Sequence, residues 1–171
     1  LGGCPVSDPS LTFLLPADIA AANERHIARL HPRARPFARD FLRAALARGI
    51  LCAIVQSSRT IPYQWGLYRQ GRVESHGVWT VVDPKVVVTK APPDKAPHVR
   101  GGAWDIAILV DGRLVYPRKG PDNDSFDRGL VVDGRNVWLT LQAVADEVHV
   151  VAGSRFQPIE LDGLGWDLAH F

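Results

Sequence analysis

The sequence predicts an α+β domain, helices first and then a small, mainly antiparallel sheet. Two stretches before Gly49 carry apolar residues at helical spacing, short β-rich runs follow between Ile50 and Tyr116, and Asp111-Gly112 reads as a hairpin turn between two of them. With 171 residues, 46% hydrophobic and 22% charged, the chain has the size and composition of one packed domain. Residues 1–171 are read as a single unit.

Ala17 to Leu30 reads as the first helix, with Pro16 just inside its start. His31, Pro32 and Pro36 interrupt the pattern. Phe37 to Arg48 reads as the second helix, because Phe37, Phe41, Leu42, Ala45 and Leu46 recur at helical spacing; Gly49 is placed to stop it. Ile50 to Gln56 is a short apolar run with the pattern of a buried strand. Ser57, Ser58, Arg59 and Thr60 then lead through Pro62 into a third helix, Tyr63 to Gln70, closed by Gly71. From Val73 to Pro97 the pattern is loop-like, with β-rich stretches at Val78 to Val82 and Val86 to Thr89 and a turn at Ala91, Pro92 and Pro93. Ala103 to Val110 reads as a strand that turns into Leu114 to Tyr116. Pro117 to Arg128 has the composition of a surface loop. Asn136 to Val148 reads as a fourth helix, and a loop carries the chain to Phe171.

Lys and Arg number 20 against 18 Asp and Glu, a net charge of +2 that is too small to argue for a nucleic-acid partner. No apolar run approaches the ~18 residues of a membrane span, so no membrane insertion is expected. Two cysteines, Cys4 and Cys52, exclude a disulfide scaffold and an all-cysteine zinc site. The sequence begins at Leu1 and contains no methionine, compatible with a trimmed start, and no signal peptide is visible in it.

Of six histidines, His26 and His31 lie among arginines in or after a helix, His76 precedes a glycine in a loop, and His149 sits between valines after a helix. Each of these reads as structural. His98 is different. It precedes Gly101 and Gly102, which permit a tight turn, and then Asp105 at the head of a strand. Imidazole nitrogen and carboxylate oxygen are both good zinc donors, and a catalytic zinc needs three protein ligands and an open position. A loop histidine beside a strand-end aspartate that caps a turn explains the same spacing. At the other end of the chain, Asp167 stands three residues before His170, so one short segment offers both a third donor and a carboxylate base. A frayed tail is the plain alternative there.

Three ordered motifs bear on the choice. His98, Gly101, Ala103 and Asp105 are in register with the pattern Ser-x-His-x-x-Gly-x-Ala-x-Asp, and Asp167, His170 and Phe171 match an ending of an acidic residue, two positions and His-Phe. Upstream, Arg59-Thr60, Gln64, Leu67-Tyr68 and Gln70-Gly71-Arg72 follow in the order of a third motif. On these residues, from about His31 to the last, the sequence resembles the zinc D-Ala-D-Ala carboxypeptidase and VanY superfamily, peptidase family M15. Within it the resemblance is to the phage-type L-alanyl-D-glutamate endopeptidases, endolysins that degrade bacterial cell-wall peptidoglycan. The sequence departs from that pattern at Ala96, where the family has serine, and at Gln56-Ser57, where it has Ser-Gly. The region from Asp111 to Asn136 also looks longer than a minimal member needs.

The resemblance implies the family's hedgehog-like peptidase fold, with His98, Asp105 and His170 as ligands of one Zn2+ per chain and Asp167 as general base and acid. It implies Arg59 as catalytic partner of a developing oxyanion, or as binder of a substrate carboxylate; a fixed guanidinium suits both roles. Gln64 either orients Arg59, binds substrate or lies on a helix surface. Strand alternation turns Trp104 away from the metal and into the core, and Leu67 and Tyr68 read as helix packing. The expected partner is peptidoglycan, met by a monomer that acts at the cell wall and is either phage-encoded or secreted. Within 171 residues no separate wall-binding domain is expected. A D,D- or L,D-carboxypeptidase of the same stem peptide is the nearest rival reading. A non-catalytic wall-binding module is a more distant one, since it would call for a closed four-ligand zinc site.

Overall fold

The strand at the centre of the main sheet comes late in the chain, and the segments that flank it arrive from both ends. A computed structural model describes residues 15–116, 130–132, 134–152 and 170–171. The order is α1 (Ala17–Ala28), α2 (Arg35–Leu46), β1 (Cys52–Gln56), α3 (Ile61–Tyr68), β2 (Arg72–Ser75), β3 (Val78–Val81), β4 (Asp105–Val110), β5 (Arg113–Val115), β6 (Val131–Val132), β7 (Arg135–Asn136) and α4 (Val137–Glu147). The α+β reading holds. Helices do not simply precede strands, however: β1 lies between α2 and α3, and the described strands form three small antiparallel sheets, β1-β4-β5, β2-β3 and β6-β7.

Local signals account for most boundaries. Gly49 takes a left-handed φ of 76°, and the Ile50 N–H reaches back to the Ala45 carbonyl, closing α2. The Thr60 side chain accepts from the Tyr63 N–H at the head of α3, and Asn136 accepts from Leu139 at the head of α4. Asp111 and Gly112, with φ of 48° and 73°, make the expected hairpin between β4 and β5. The loop expected at Pro117 to Arg128 lies outside the described residues.

Two expectations fail around the second hairpin. Val73 to Ser75, expected as loop, belongs to β2, paired residue for residue with β3 around a turn in which His76 and Gly77 have φ of 52° and 81°. Val86 to Thr89, expected as β-rich, contains no strand. Pro84–Val86 is a single 3-10 turn, fixed by proline and by the Asp83 side chain accepting from the Lys85 N–H. Beyond it Thr89 receives hydrogen bonds from Gln64 and Arg72 instead of from a strand.

The core lies between β1-β4 and helices α1, α2 and α4. Ile27, Phe41, Ile54, Trp104, Ile106, Leu141 and Val144 are all buried in it. The strand expected from Ala103 starts at Asp105, but Trp104 just before it is core, as expected, and meets Phe41 edge-on at 6.2 Å. The free edge of β1 is covered by α1: buried Asn23 donates to the Cys52 carbonyl and accepts from the Ile54 N–H, as a neighbouring strand would.

Candidate metal centre

Three backbone segments converge at the open end of β1 and β4. The first is the coil before β4, where Val99, Arg100 and Gly101 each bond to the carbonyl three residues earlier. Gly101 has φ of 68°, and a Cβ there would stand 2.8 Å from the His31 backbone nitrogen. Only glycine permits both the turn and this approach to the α1–α2 connection. The second segment is the tail: the N–H and carbonyl of Phe171 both bond to Trp104, which sets His170 opposite Asp105. Phe171 is buried against Phe41 at 4.4 Å, so the last residue anchors its neighbour.

The third segment is the exit from β1. The register shifts between Ile54 and Gln56, leaving Val55 as an extra residue and pairing Gln56 with Asp105. The chain then passes both other segments. The Ser57 carbonyl accepts from His98 Nδ1, and the Arg59 N–H donates to the His98 carbonyl at 3.0 Å. A carbonyl can only accept, so His98 carries its proton on Nδ1 and presents the bare Nε2.

His98, Asp105 and His170 are thereby brought together, and they are the only such donor cluster among the described residues. His98 Nε2 and His170 Nδ1 are 3.3 Å apart, and each lies 3.4 Å from Asp105 Oδ1. A tetrahedral zinc with bonds of about 2.0–2.1 Å spaces its ligand atoms ~3.3–3.4 Å apart, so the residues fit the ion. Burial works to raise the Asp105 pKa, but the His170 and His98 rings beside Oδ1 outweigh it and hold the carboxyl well below the usual carboxylate range.

The other oxygen of Asp105 belongs to Arg59, whose Nη2 donates to Oδ2 at 2.9 Å. Arg59 Nε donates to Gln56 Oε1 at 2.7 Å, and its Nη1 makes a longer 3.4 Å contact with Gln64 Oε1. Gln64 is fully buried, and its amide nitrogen donates to the Ala91 carbonyl at 2.9 Å. It faces Arg59 rather than solvent. Asp167 lies outside the described residues, and so does Cys4. Gln56 and Ser57 are the contributors that sequence reasoning missed; their mark in the sequence is the departure from Ser-Gly.

With this geometry in view, the chain aligns with the crystal structure of the Serratia marcescens L-Ala D-Glu endopeptidase ChiX at a TM-score of 0.52, over 88% of this chain and 85% of that one. The two chains share a fold. Their sequences are 14% identical. No family profile matches the chain, and neither does any curated protein sequence. Among the described residues no helix is long and apolar enough to cross a membrane.

Proposed function

We propose that this chain is a zinc metallopeptidase of family M15 type that hydrolyses the stem peptide of bacterial peptidoglycan, as an L-alanyl-D-glutamate endopeptidase. One observation carries the reading: a triangle of two imidazoles and one carboxylate, sized for zinc, on a fold shared with an L-Ala D-Glu endopeptidase. Bound by His98, Asp105 and His170, a zinc ion would supply Lewis acidity and bring the pKa of a water toward ~7.

The chain's own residues supply the rest of the chemistry. Asp167, three positions before His170, is assigned the proton transfers: it takes one from the attacking water and returns one to the leaving amine. Arg59 has three of its five N–H groups committed among the described residues, and its remaining N–H groups are assigned to the peptide oxygen that gains charge. Gln64 is assigned to orient Arg59. The unit is a single catalytic domain working as a monomer on the cell wall, reached by export or from a phage-infected host.

Digestion of purified sacculi by zinc-loaded protein tests this reading. Mass spectrometry is expected to find new amino termini on D-Glu. Release of terminal D-Ala instead would make the enzyme a carboxypeptidase, and unchanged sacculi would refute the peptidase reading.

A further inference from the structure

The two oxygens of Asp105 have different neighbours. Oδ1 stands in the donor triangle, 3.4 Å from each imidazole nitrogen, whereas Oδ2 is bonded to Arg59 at 2.9 Å. A carboxylate whose second oxygen is held by a guanidinium offers a metal one oxygen, not two. That distinction matters chemically, because a two-oxygen aspartate would fill a coordination position that a substrate or water needs.

Arg59 holds this post because it is itself held. Its backbone N–H is tied to the His98 carbonyl, its Nε to Gln56 and its Nη1 to buried Gln64. Gln56 is close enough because the irregularity at Val55 pairs it with Asp105 across the sheet. A serine at position 56 is too short to make the same contact. The side-chain pair is largely shielded, with Arg59 15% and Asp105 19% exposed, so water competes weakly for Oδ2.

Resting on the metallopeptidase reading, we propose that Gln56 and Gln64 are positioning residues that hold Arg59 on Asp105 Oδ2, so that Asp105 ligates the metal through Oδ1 alone. The arrangement is a clamp on one ligand. Gln56 carries no charge, so its removal tests orientation without taking a charge away from the site.

The test uses the full chain and two probes, Zn2+ and Co2+. Gln56→Leu, Gln56→Ser and Arg59→Lys are each compared with the parent for metal affinity, by competition with a chelator, and for the visible absorption of the Co2+ form. Four-coordinate Co2+ absorbs strongly and five-coordinate Co2+ weakly. Gln56→Leu is expected to weaken affinity by roughly the 10–100-fold typical of losing an outer partner of a ligand. It is also expected to dim the Co2+ bands as Asp105 swings its second oxygen inward. Gln56→Ser should resemble Gln56→Leu, and Arg59→Lys, which keeps the charge but loses the planar fork, should recover neither property fully. Thermal melting of the metal-free proteins checks folding; Gln56 lies at the end of β1, not in the core, so both Gln56 variants are expected to fold. If the parent binds Co2+ one to one while every variant keeps its affinity and spectrum, the clamp is wrong and the metal site stands. If the parent binds neither ion, the metallopeptidase reading fails and the clamp falls with it.

Discussion

The ladder that carries the donor triangle and the hairpin that follows α3 are both antiparallel pairs, yet they are held in opposite ways. In β1 and β4, Cys52, Ala53, Ile54, Ile106, Ala107 and Ile108 are all buried, and helices cover the sheet. In β2 and β3, Val73, Val78 and Val81 are 55%, 63% and 45% exposed. That hairpin rests on stacking instead: Trp79 meets Trp65 at 6.0 Å and Tyr68 at 6.1 Å, with Arg69 over both indoles and Arg72 over Tyr68. Backbone hydrogen bonds are common to both regions. Close packing belongs to one, and the donor triangle is mounted there, where side-chain rotamers have least freedom.

Deleting His170 and Phe171 should break the contrast most severely. It removes one corner of the donor triangle and a buried ring, and losing a buried phenylalanine costs about 3–5 kcal/mol. Metal binding should vanish and the melting temperature of the metal-free protein should drop. A shortened chain that melts and binds zinc like the parent would show that the tail is not part of the packed region.

Asp167→Asn should separate chemistry from scaffolding. An amide of the same size cannot take a proton from water, so turnover on peptidoglycan should fall by at least ~10². Zinc content, measured by elemental analysis, should stay near that of the parent, whereas Asp105→Asn should lose the metal. The opposite pattern would exchange the two roles.

Trp79→Ala should sharpen the comparison from the other side. Aromatic pairs contribute about 0.5–1.5 kcal/mol beyond their burial, so the hairpin should loosen and its amides should exchange faster with solvent. Zinc affinity should not change, because neither Trp79 nor its stacking partners touch the donor triangle. An equal loss of affinity and of hairpin protection would make the two regions one unit.

The smallest effect concerns His26, which is half-buried and whose Nδ1 lies 3.3 Å from Ser57 Oγ. Burial, then Arg29 and Arg25, lower its pKa, so the folded protein disfavours the charged ring. The unfolded chain then binds more protons just below pH 6.5, and stability should decline as the pH falls through that value. Denaturant titrations of His26→Gln against the parent at pH 7.5 and 5.5 should show a shallower acid loss in the variant.

The donor triangle was legible through the resemblance, since spacing alone left a turn-capping aspartate and a frayed tail open, and Gly101 marked the turn that lets His98 and Asp105 meet. The helices were legible from their apolar spacing and caps. The exit from β1 was not. Gln56 acquires its neighbour from a register shift at Val55, and register is a property of two strands separated by almost fifty residues, invisible in either one alone. Gln64 sits in a helix of low amphipathic contrast, so nothing in its own segment marks it as buried. The β2-β3 hairpin escaped notice because His76-Gly77 makes its turn, where Asn-Gly or Asp-Gly would have announced one. The resemblance pointed to the three donors, and the fold explains what holds them together.

In the proposed mechanism His98, Asp105 and His170 hold a metal on which peptidase activity depends. Zinc content by elemental analysis, read beside the rate of sacculus digestion through chelation and stepwise reconstitution, tests it most directly. About one zinc per chain is expected at full activity, with no digestion by the stripped protein and recovery in proportion to bound zinc. Full activity in the stripped protein, or in reconstituted protein holding less than about half an equivalent, would contradict it.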